Sequence, residues 1–448
     1  MSVDILSLLK PMMEKALKLG ASEVELYAQR TDSKDVNVES SSLKSAISQS
    51  LEGVGIRVLK DKSVGFASVN SLIPDTILDG IKSAVAIASV TPASENYYLS
   101  APKKIRYVKD CYDPAVAEMS MDDVIGKAEA MLRAALDVDE RIKVDTGTFS
   151  AATYESAIVT SAGIETAEKK SILGWIILGM AVEGDDIGSF DYNYNASVSL
   201  KNADVETTAT ELATRVLKYL KAEKTDSFEG QAIISPDALI ELSDVFIQSA
   251  SASKIQAGSS YLQDRLGERV FSEEFTLIDD GAIPEKTGSS SFDREGVPHS
   301  KHPIFEKGVF KGILYDTFTA NKEGLDSTGH ASGVFRQAPR ITATNLEMRA
   351  GSKSVEDMIS EVDHGLYIPR ISAFPDPVSG DFAGPVKGGQ LIKRGEIIGP
   401  VKEITISGNL FEALKGITAV SKERKFAGFQ GQSVFLPHIA LSGLKFAS

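Results

Sequence analysis

Hydrophobic positions in the N-terminal part of the chain switch between helical and strand spacing. A helical stripe begins at Ile5 and ends at Gly20, a residue type that suits the left-handed position after a helix. Stretches with period two follow, and Pro74 then opens a second helical stripe. The predicted elements are a helix over 5–19, strands over 24–28, 36–39, 43–58 and 64–67, and a helix over 74–88.

The same order of elements returns from Met121 onward. The predicted elements there are a helix over 121–136, strands over 142–144, 157–160, 172–182 and 190–194, and a helix over 204–221. Both units follow the order helix, four or five antiparallel strands, helix, which indicates a repeat of architecture rather than of residues. The proline-containing segment 91–118 is predicted to be the linker between them.

The order of predicted helices and strands changes after Lys224. Ser235 and Pro236 form a good helix start, with serine as the N-cap and proline at the first helical position. Beyond Gly267 the chain is rich in strand and turn patterns. We therefore predict an α+β protein in which the last part is β-rich, with a mixed or barrel-like sheet and a helix near its start. The predicted domains are residues 1–118, 119–224 and 225–448.

Charge and composition exclude several classes of function. The chain has 448 residues, with 48 Lys and Arg against 62 Asp and Glu, and a net charge of −14. Surfaces for nucleic acid or anionic membrane need clustered positive charge, so we expect neither partner. The longest apolar run, 172–182, is too short to span a membrane, and the N-terminus lacks a secretory signal. These patterns predict a cytoplasmic protein. The single cysteine, Cys111, excludes an intramolecular disulfide and an all-cysteine metal site.

Few residues suggest chemistry by themselves. His299 and His302 are bracketed by prolines, which favours a surface loop over a zinc site. The adjacent aspartates at 279–280 precede a glycine, a pattern more typical of a turn than of a catalytic pair. The charged turn 292–296 contains Arg294, which could pair with a neighbour or with a substrate carboxylate. The sequence contains no H-E-x-x-H helix and no G-x-S-x-G turn.

The C-terminal half carries several long, ordered motifs. They are SSYLQDRLGERV (259–270), DDG (279–281), FDREGVP (292–298), KGILYDTFTA (311–320), STGHA (327–331), SGDF (379–382) and TISGNL (405–410). These motifs resemble the TldD/PmbA metallopeptidase family and, within it, the PmbA (TldE) branch. The resemblance covers roughly residues 228–448, whereas the first half is similar to the family in architecture and length.

The resemblance implies a zinc peptidase family whose catalytic members carry an H-E-x-x-x-H helix, with two histidine ligands and a glutamate as general base. The match places this helix after Ser235, where the corresponding residues here are Asp244, Val245 and Ser249. Valine cannot take a proton, and Asp244 alone cannot hold zinc. With no cysteine besides Cys111, a C-terminal thiolate ligand is also absent. For this chain the resemblance therefore implies no catalytic residue and no metal ligand, and it places zinc in a TldD-type partner.

The leading hypothesis is a metal-free subunit of a cytosolic heteromeric peptidase, paired with a TldD-type paralogue and acting on unfolded or extended peptides. A strand-rich half suits this role because an extended peptide can add to an open sheet edge. The candidate substrate-binding residues are Glu295, His299 and the turn formed by Ser379, Gly380 and Asp381. Whether the chain alone is an enzyme stays open.

Two alternatives remain beside this hypothesis. The first is a non-enzymatic homodimeric scaffold that binds peptides or regulators, which a large apolar self-complementary interface would favour. The second is an autonomous hydrolase whose site is built from His299, His302, His330 and either Asp279 or Asp280. Convergence of those side chains would support this second alternative.

Overall fold

The computed structural model describes residues 4–429 and 432–448. It confirms the predicted α+β class, with helices packed on an antiparallel N-terminal sheet and a large mixed sheet in the C-terminal half. No helix of the described residues has the length and hydrophobicity that crossing a membrane would require. The domain boundaries at 118 and 224 stay a prediction.

Strands from both predicted N-terminal units form one sheet. They are β1 (Glu23–Glu39), β2 (Ser42–Lys60), β3 (Ser63–Val69), β4 (Ile142–Thr160), β5 (Glu165–Glu183), β6 (Asp186–Ile187) and β7 (Asp191–Ser197). The strand order is β3-β2-β1-β4-β5-β6, and β7 also pairs with β5. The antiparallel pairing of β1 with β4, from Glu25 opposite Thr160 to Glu39 opposite Thr146, joins the two units.

The sequence predicted four short strands where the structure has two long ones, so this part of the prediction was wrong. The predicted strands 24–28 and 36–39 lie at the two ends of β1, and 142–144 and 157–160 lie at the ends of β4. The polar middle of β1 has backbone partners on both sides, from β2 and from β4. Because backbone hydrogen bonds make this pairing, the middle of the strand needs no hydrophobic run. The first unit accordingly has three strands rather than four or five.

The N-terminal helices agree closely with the prediction. They are α1 (Ile5–Lys18), α2 (Pro74–Ala88), α3 (Pro114–Glu118), α4 (Met121–Leu136) and α5 (Val205–Leu217), with a 3-10 turn at Leu200–Asn202 before α5. A capping box between Ser120 and Asp123 fixes the start of α4. The short α3 lies at the end of the segment predicted as a linker.

One face of the N-terminal sheet carries the helices. Successive side chains of a strand alternate between faces, so Val24, Leu26 and Val36 of β1 share a face. They are buried in cores that include residues of α1 and α2 at one end and of α4 and α5 at the other. Glu25 and Tyr27 lie on the opposite face and contact the C-terminal half. The sheet therefore separates a helical layer from the surface on which the C-terminal half docks.

The C-terminal half is organised around a mixed sheet with short helices. Its elements are β8 (Phe228–Ile234), α6 (Pro236–Ala250), α7 (Ala252–Gln256), β9 (Leu277–Asp280), β10 (Lys301–Glu306), β11 (Val309–Phe310), α8 (Thr317–Glu323), β12 (Ala331–Ser332), β13 (Arg340–Ile341), β14 (Asn345–Met348), α9 (Val355–Ser360), β15 (His364–Ile368), β16 (Arg370–Ile371), β17 (Asp381–Lys387), β18 (Gln390–Lys393), β19 (Glu396–Pro400), β20 (Thr405–Asn409), α10 (Leu410–Lys415), β21 (Ala419–Phe429) and β22 (Gln432–Ala447). The main strand order is β11-β10-β9-β14-β22-β8-β15-β18-β19. Parallel pairs β14–β22 and β8–β15 among antiparallel ones make the sheet mixed.

Helix α6 begins where the sequence predicted it. The Ser235 side chain accepts a hydrogen bond from the amide of Ala238 at 3.2 Å and donates one to the carbonyl of Pro369. Leu239, Leu242 and Phe246 are buried in the largest hydrophobic core of the C-terminal half. Packing of this face therefore holds α6 in place, so the residues on its other face can differ without loss of the helix.

The close approach of α2 to β3 gives a test of this packing. A Cβ on Gly65 would lie 2.0 Å from the carbonyl oxygen of Ala84, whereas a Cβ on Gly126 in α4 would meet open space. We expect Gly65→Ala to lower the free energy of unfolding by about 1–3 kcal/mol through overpacking. Gly126→Ala should raise it by about 0.5–1 kcal/mol, because alanine is the better helix former. Urea unfolding of both variants measures this, and shifts of the same sign would contradict it.

Candidate functional site

The three α6 residues that the resemblance placed at zinc-helix positions do not form a zinc site. Val245 is 3% exposed and belongs to the hydrophobic core. The hydroxyl of Ser249, also buried, donates to the carbonyl of Pro377 at 3.1 Å. Asp244 is exposed and accepts a hydrogen bond from Gln248 one turn later. Zinc requires three or four nitrogen, sulfur or carboxylate donors, so these three residues do not fit it.

Two adjoining cavities nevertheless lie along this part of the molecule. The first, here called the α6 pocket, has a volume of about 150 Å³, and its wall includes Asp244. The second, here called the polar cavity, has a volume of about 290 Å³. Ala343, Thr344 and Gln432 line both, so the two cavities are neighbours. Together they are here called the cleft, which extends from α6 to the seam between the N-terminal sheet and the C-terminal half.

Charged and polar side chains from both halves of the chain line the polar cavity. The N-terminal sheet contributes Tyr27, Ser156, Glu168 and Lys170, and the C-terminal half contributes Ser290, Asp293, Arg294, His299, His330 and Arg340, among others. None of the sheet residues in this set was predicted. Residues 165–171, ETAEKKS, show no alternation of apolar and polar residues, so no local signal pointed to Lys170.

A buried group of four charges, here called the ion cluster, fixes the wall of the polar cavity. Arg57 on β2 bridges Glu25 on β1 and Glu295, with 2.6 Å between its Nη1 and Oε1 of Glu295. Arg294 Nη1 donates to Glu25 at 2.9 Å, and its guanidinium stacks on Tyr27 at 3.9 Å from the ring centre. Burial opposes ionisation of Glu295, but the charge of Arg57 holds the pKa of Glu295 below its usual range. The cluster thus anchors residues 292–298, here called the docking loop, to the N-terminal sheet.

Asp293 shapes the docking loop from within. One carboxylate oxygen accepts from the amides of Glu295 and Val297, at 2.8 and 2.9 Å, and the other accepts from the amide of Ala331 at 3.0 Å. Burial and the charge of Glu295 raise the pKa of Asp293 well above its usual range. Its oxygens therefore serve the loop backbone rather than a ligand.

His330 is held by hydrogen bonds, and the His302 ring packs against it. His330 lies 3.1 Å from Asp279 through Nε2 and 2.8 Å from the Thr328 hydroxyl through Nδ1. The His302 ring packs edge-on against His330 at 5.1 Å between ring centres. Burial lowers the pKa of both His299 and His302 to about 4. Within residues 4–429 and 432–448, no three His, Cys, Asp or Glu side chains are grouped closely enough to hold a metal ion.

The residues predicted to bind substrate lie in three different settings. His299 lines the polar cavity, whereas Glu295 is 2% exposed and is held by Arg57 and by the amide of Thr317. Ser379, Gly380 and Asp381 form a turn outside both cavities, in which Asn409 donates to the carbonyl of Ser379 and to the carboxylate of Asp381. Gly380 has a φ of +83°, a conformation that favours glycine. A role for these residues in binding substrate stays a prediction.

Comparison with known proteins gives one consistent result. Models of three domains of the PmbA/TldA metallopeptidases match successive parts of the chain: domain 1 at residues 24–88, the central domain at 114–220 and the C-terminal domain at 228–448. An uncharacterized protein of Methanocaldococcus jannaschii is 28% identical over 414 residues, which cover 90% of this chain and 93% of that protein. The metalloprotease PmbA of Escherichia coli O157:H7 is 24% identical over 451 residues, which cover 97% and 96%.

Solved structures agree with this result. The crystal structure of TldE from Thermococcus kodakarensis has a TM-score of 0.90 and 25% sequence identity, and the match covers 98% of this chain and 100% of that one. The structure of a putative modulator of a DNA gyrase from Thermotoga maritima has a TM-score of 0.88 at 24% identity, covering 98% and 99%. The second of these likenesses concerns the fold alone.

Removing the central cation of the ion cluster should be costly. Arg57→Met leaves Glu25 and Glu295 buried with one cation fewer, and we expect it to lower the free energy of unfolding by about 3–5 kcal/mol. Lys10→Met removes an exposed ion pair with Glu165 and should change the free energy of unfolding by less than about 1 kcal/mol. Equal losses in the two variants, measured by urea unfolding, would contradict the anchoring role of the cluster.

The buried histidines predict acid sensitivity. His299 and His302 have lowered pKa values in the folded protein, so the unfolded chain binds more protons between about pH 4 and pH 6.5. The free energy of unfolding should therefore fall as the pH drops through this range, by up to about 1.4 kcal/mol per pH unit for each histidine. His302→Asn should reduce that slope, and unfolding curves at several pH values measure it. An unchanged slope would show that His302 does not contribute.

Proposed function

Because this chain belongs to the PmbA/TldD metallopeptidase family, we propose that it is the metal-free subunit of a cytosolic heteromeric zinc peptidase that acts on extended or unfolded peptides. The zinc would be held by a TldD-type paralogue. One observation supports the proposal: α6 lies beside an open pocket, and the resemblance matches Asp244 and Ser249 to the two histidine ligands and Val245 to the general base.

In this proposal the chain contributes binding rather than chemistry. The cleft offers apolar contacts along α6 through Ile240 and Ile247, and polar and charged contacts in the polar cavity. Such an arrangement can hold an extended peptide by its side chains at one end and by charged groups at the other. Water activation and bond cleavage then belong to the partner's zinc site.

The alternative of a homodimeric, peptide-binding scaffold rests on a further observation. Both halves of the cleft lie within a single chain, so peptide binding by itself needs no second subunit. The two proposals differ in whether a catalytic paralogue is required for function. They share the prediction that this chain binds peptides.

Metal analysis with a cleavage assay tests the proposed function. The purified chain alone should contain no zinc and cleave no unfolded peptide, whereas the complex co-purified with a TldD-type paralogue should show both. Asp244→Asn should leave the zinc content of the complex unchanged, because a single exposed carboxylate is not a zinc site. Stoichiometric zinc with cleavage in the lone chain would contradict the proposal.

A further inference from the structure

The polar cavity contains a lysine that forms no direct ion pair with a carboxylate. Burial lowers the pKa of Lys170, and the charge of Glu168 opposes this shift, so a bound anion would favour the protonated form further. The Lys170 ammonium makes one hydrogen bond, to the carbonyl of Thr287 at 3.1 Å, and no ion pair among the described residues. The nearby Glu168 carboxylate is occupied elsewhere, since it accepts from the hydroxyl of Ser290 and from the amide of Ser291 at 2.9 Å. Lys170 thus has donor capacity facing the cavity that the protein itself does not use.

A second cation, Arg340, adds to this positive character, since it is exposed and lines the same cavity. Arg294 also lies in the wall, but its Nη1 is paired with Glu25. Its Nε and Nη2 are fully buried, with Nη2 beside Gly55, so they offer no donor to a ligand in the cavity.

The acidic and titratable groups of the cavity do not cancel these cations. Asp293 directs its oxygens to the amides of its own loop, and its raised pKa disfavours the anionic form. His299 has a pKa of about 4 and is therefore neutral at physiological pH. Arg294 is paired with Glu25, so Glu168 is the remaining carboxylate of the lining against the two cations Lys170 and Arg340. The lining thus favours a negatively charged ligand.

The cavity is large enough to hold part of a ligand and not only a single structural water molecule. Its volume of about 290 Å³ corresponds to roughly ten water molecules at about 30 Å³ each. It also adjoins the α6 pocket, with which it shares Ala343, Thr344 and Gln432. An extended chain lying in the α6 pocket can therefore place a terminal residue, or one long side chain, in the polar cavity.

We propose that the polar cavity is a carboxylate-binding subsite in which Lys170 is the principal binding residue, supported by Arg340. That the carboxylate belongs to a peptide rests on the proposed function. Two sources share this chemistry, the C-terminal carboxylate of a peptide and the side chain of an internal Asp or Glu. The interaction is a charge-assisted hydrogen bond in a partly enclosed site, the kind that discriminates strongly between an acid and its amide.

The test measures binding of short unstructured peptides to the purified chain by calorimetry. One peptide without acidic side chains is used as its free acid and as its C-terminal amide, and a third peptide is amidated but carries an internal glutamate. We expect one of the two carboxylate-bearing peptides to bind at least about tenfold more tightly than the plain amide. Whichever does so identifies the source of the carboxylate.

Neighbouring lysines provide matched variants. Lys170→Met should abolish the preference for the carboxylate, and Lys170→Arg should retain much of it because the charge remains. Lys169→Met should leave the preference intact, since Lys169 is exposed and lies 3.7 Å from Glu155. The arginine variant also shows whether any loss in Lys170→Met comes from the missing charge or from misfolding.

The results that would overturn the subsite are equally specific. Equal binding of acid and amide by the wild-type chain, an unchanged preference in Lys170→Met, or no peptide binding at all would each do so. None of these outcomes depends on zinc or cleavage in the complex with a TldD-type paralogue. Failure of the subsite and failure of the proposed subunit role are therefore distinguishable.

Discussion

The ion cluster is the interaction on which the arrangement of the two halves depends. It places two arginines and two glutamates in a nearly water-free seam, and each such ion costs several kcal/mol to bury unless its partners are correctly placed. Glu25 and Arg57 face the seam because they alternate with the core residues of their strands. A shift of β1 by one residue would move Glu25 to the helical face, so the cluster also specifies the strand register.

The polar cavity is a consequence of this docking. The docking loop brings Asp293 and Arg294 to the seam, His299 follows directly after the loop, and the sheet supplies Tyr27 and Lys170. Neither half encloses the cavity alone. A ligand that binds only the assembled cavity therefore stabilises the docked arrangement by mass action. Ligand binding in the polar cavity and docking of the two halves of the chain are therefore coupled without a separate conformational switch.

The sequence predicts well the elements whose signals lie within a few residues, and it misses the contacts between residues far apart in the chain. Helices such as α4 and α6 carry their own signals, in the capping box at Ser120 and the Ser235-Pro236 start. The long strands were divided because their polar middles gain order only from partners elsewhere in the chain. The ion cluster has no local signature at all, since Glu25 and Arg294 are 269 residues apart. The motif around Arg294 indicated a charged turn but not what it would contact.

Helix α6 is held in place by packing, which needs no metal. Core contacts through Leu239, Leu242 and Phe246 fix the helix. Buried metal-binding side chains without a metal would be polar groups without partners, at a cost of about 1–3 kcal/mol each. Val245 in the core and Ser249 bonded to Pro377 avoid that penalty, while Asp244 remains in the pocket wall. The pocket beside α6 therefore needs no metal to keep its shape, as the proposed role in holding substrate requires.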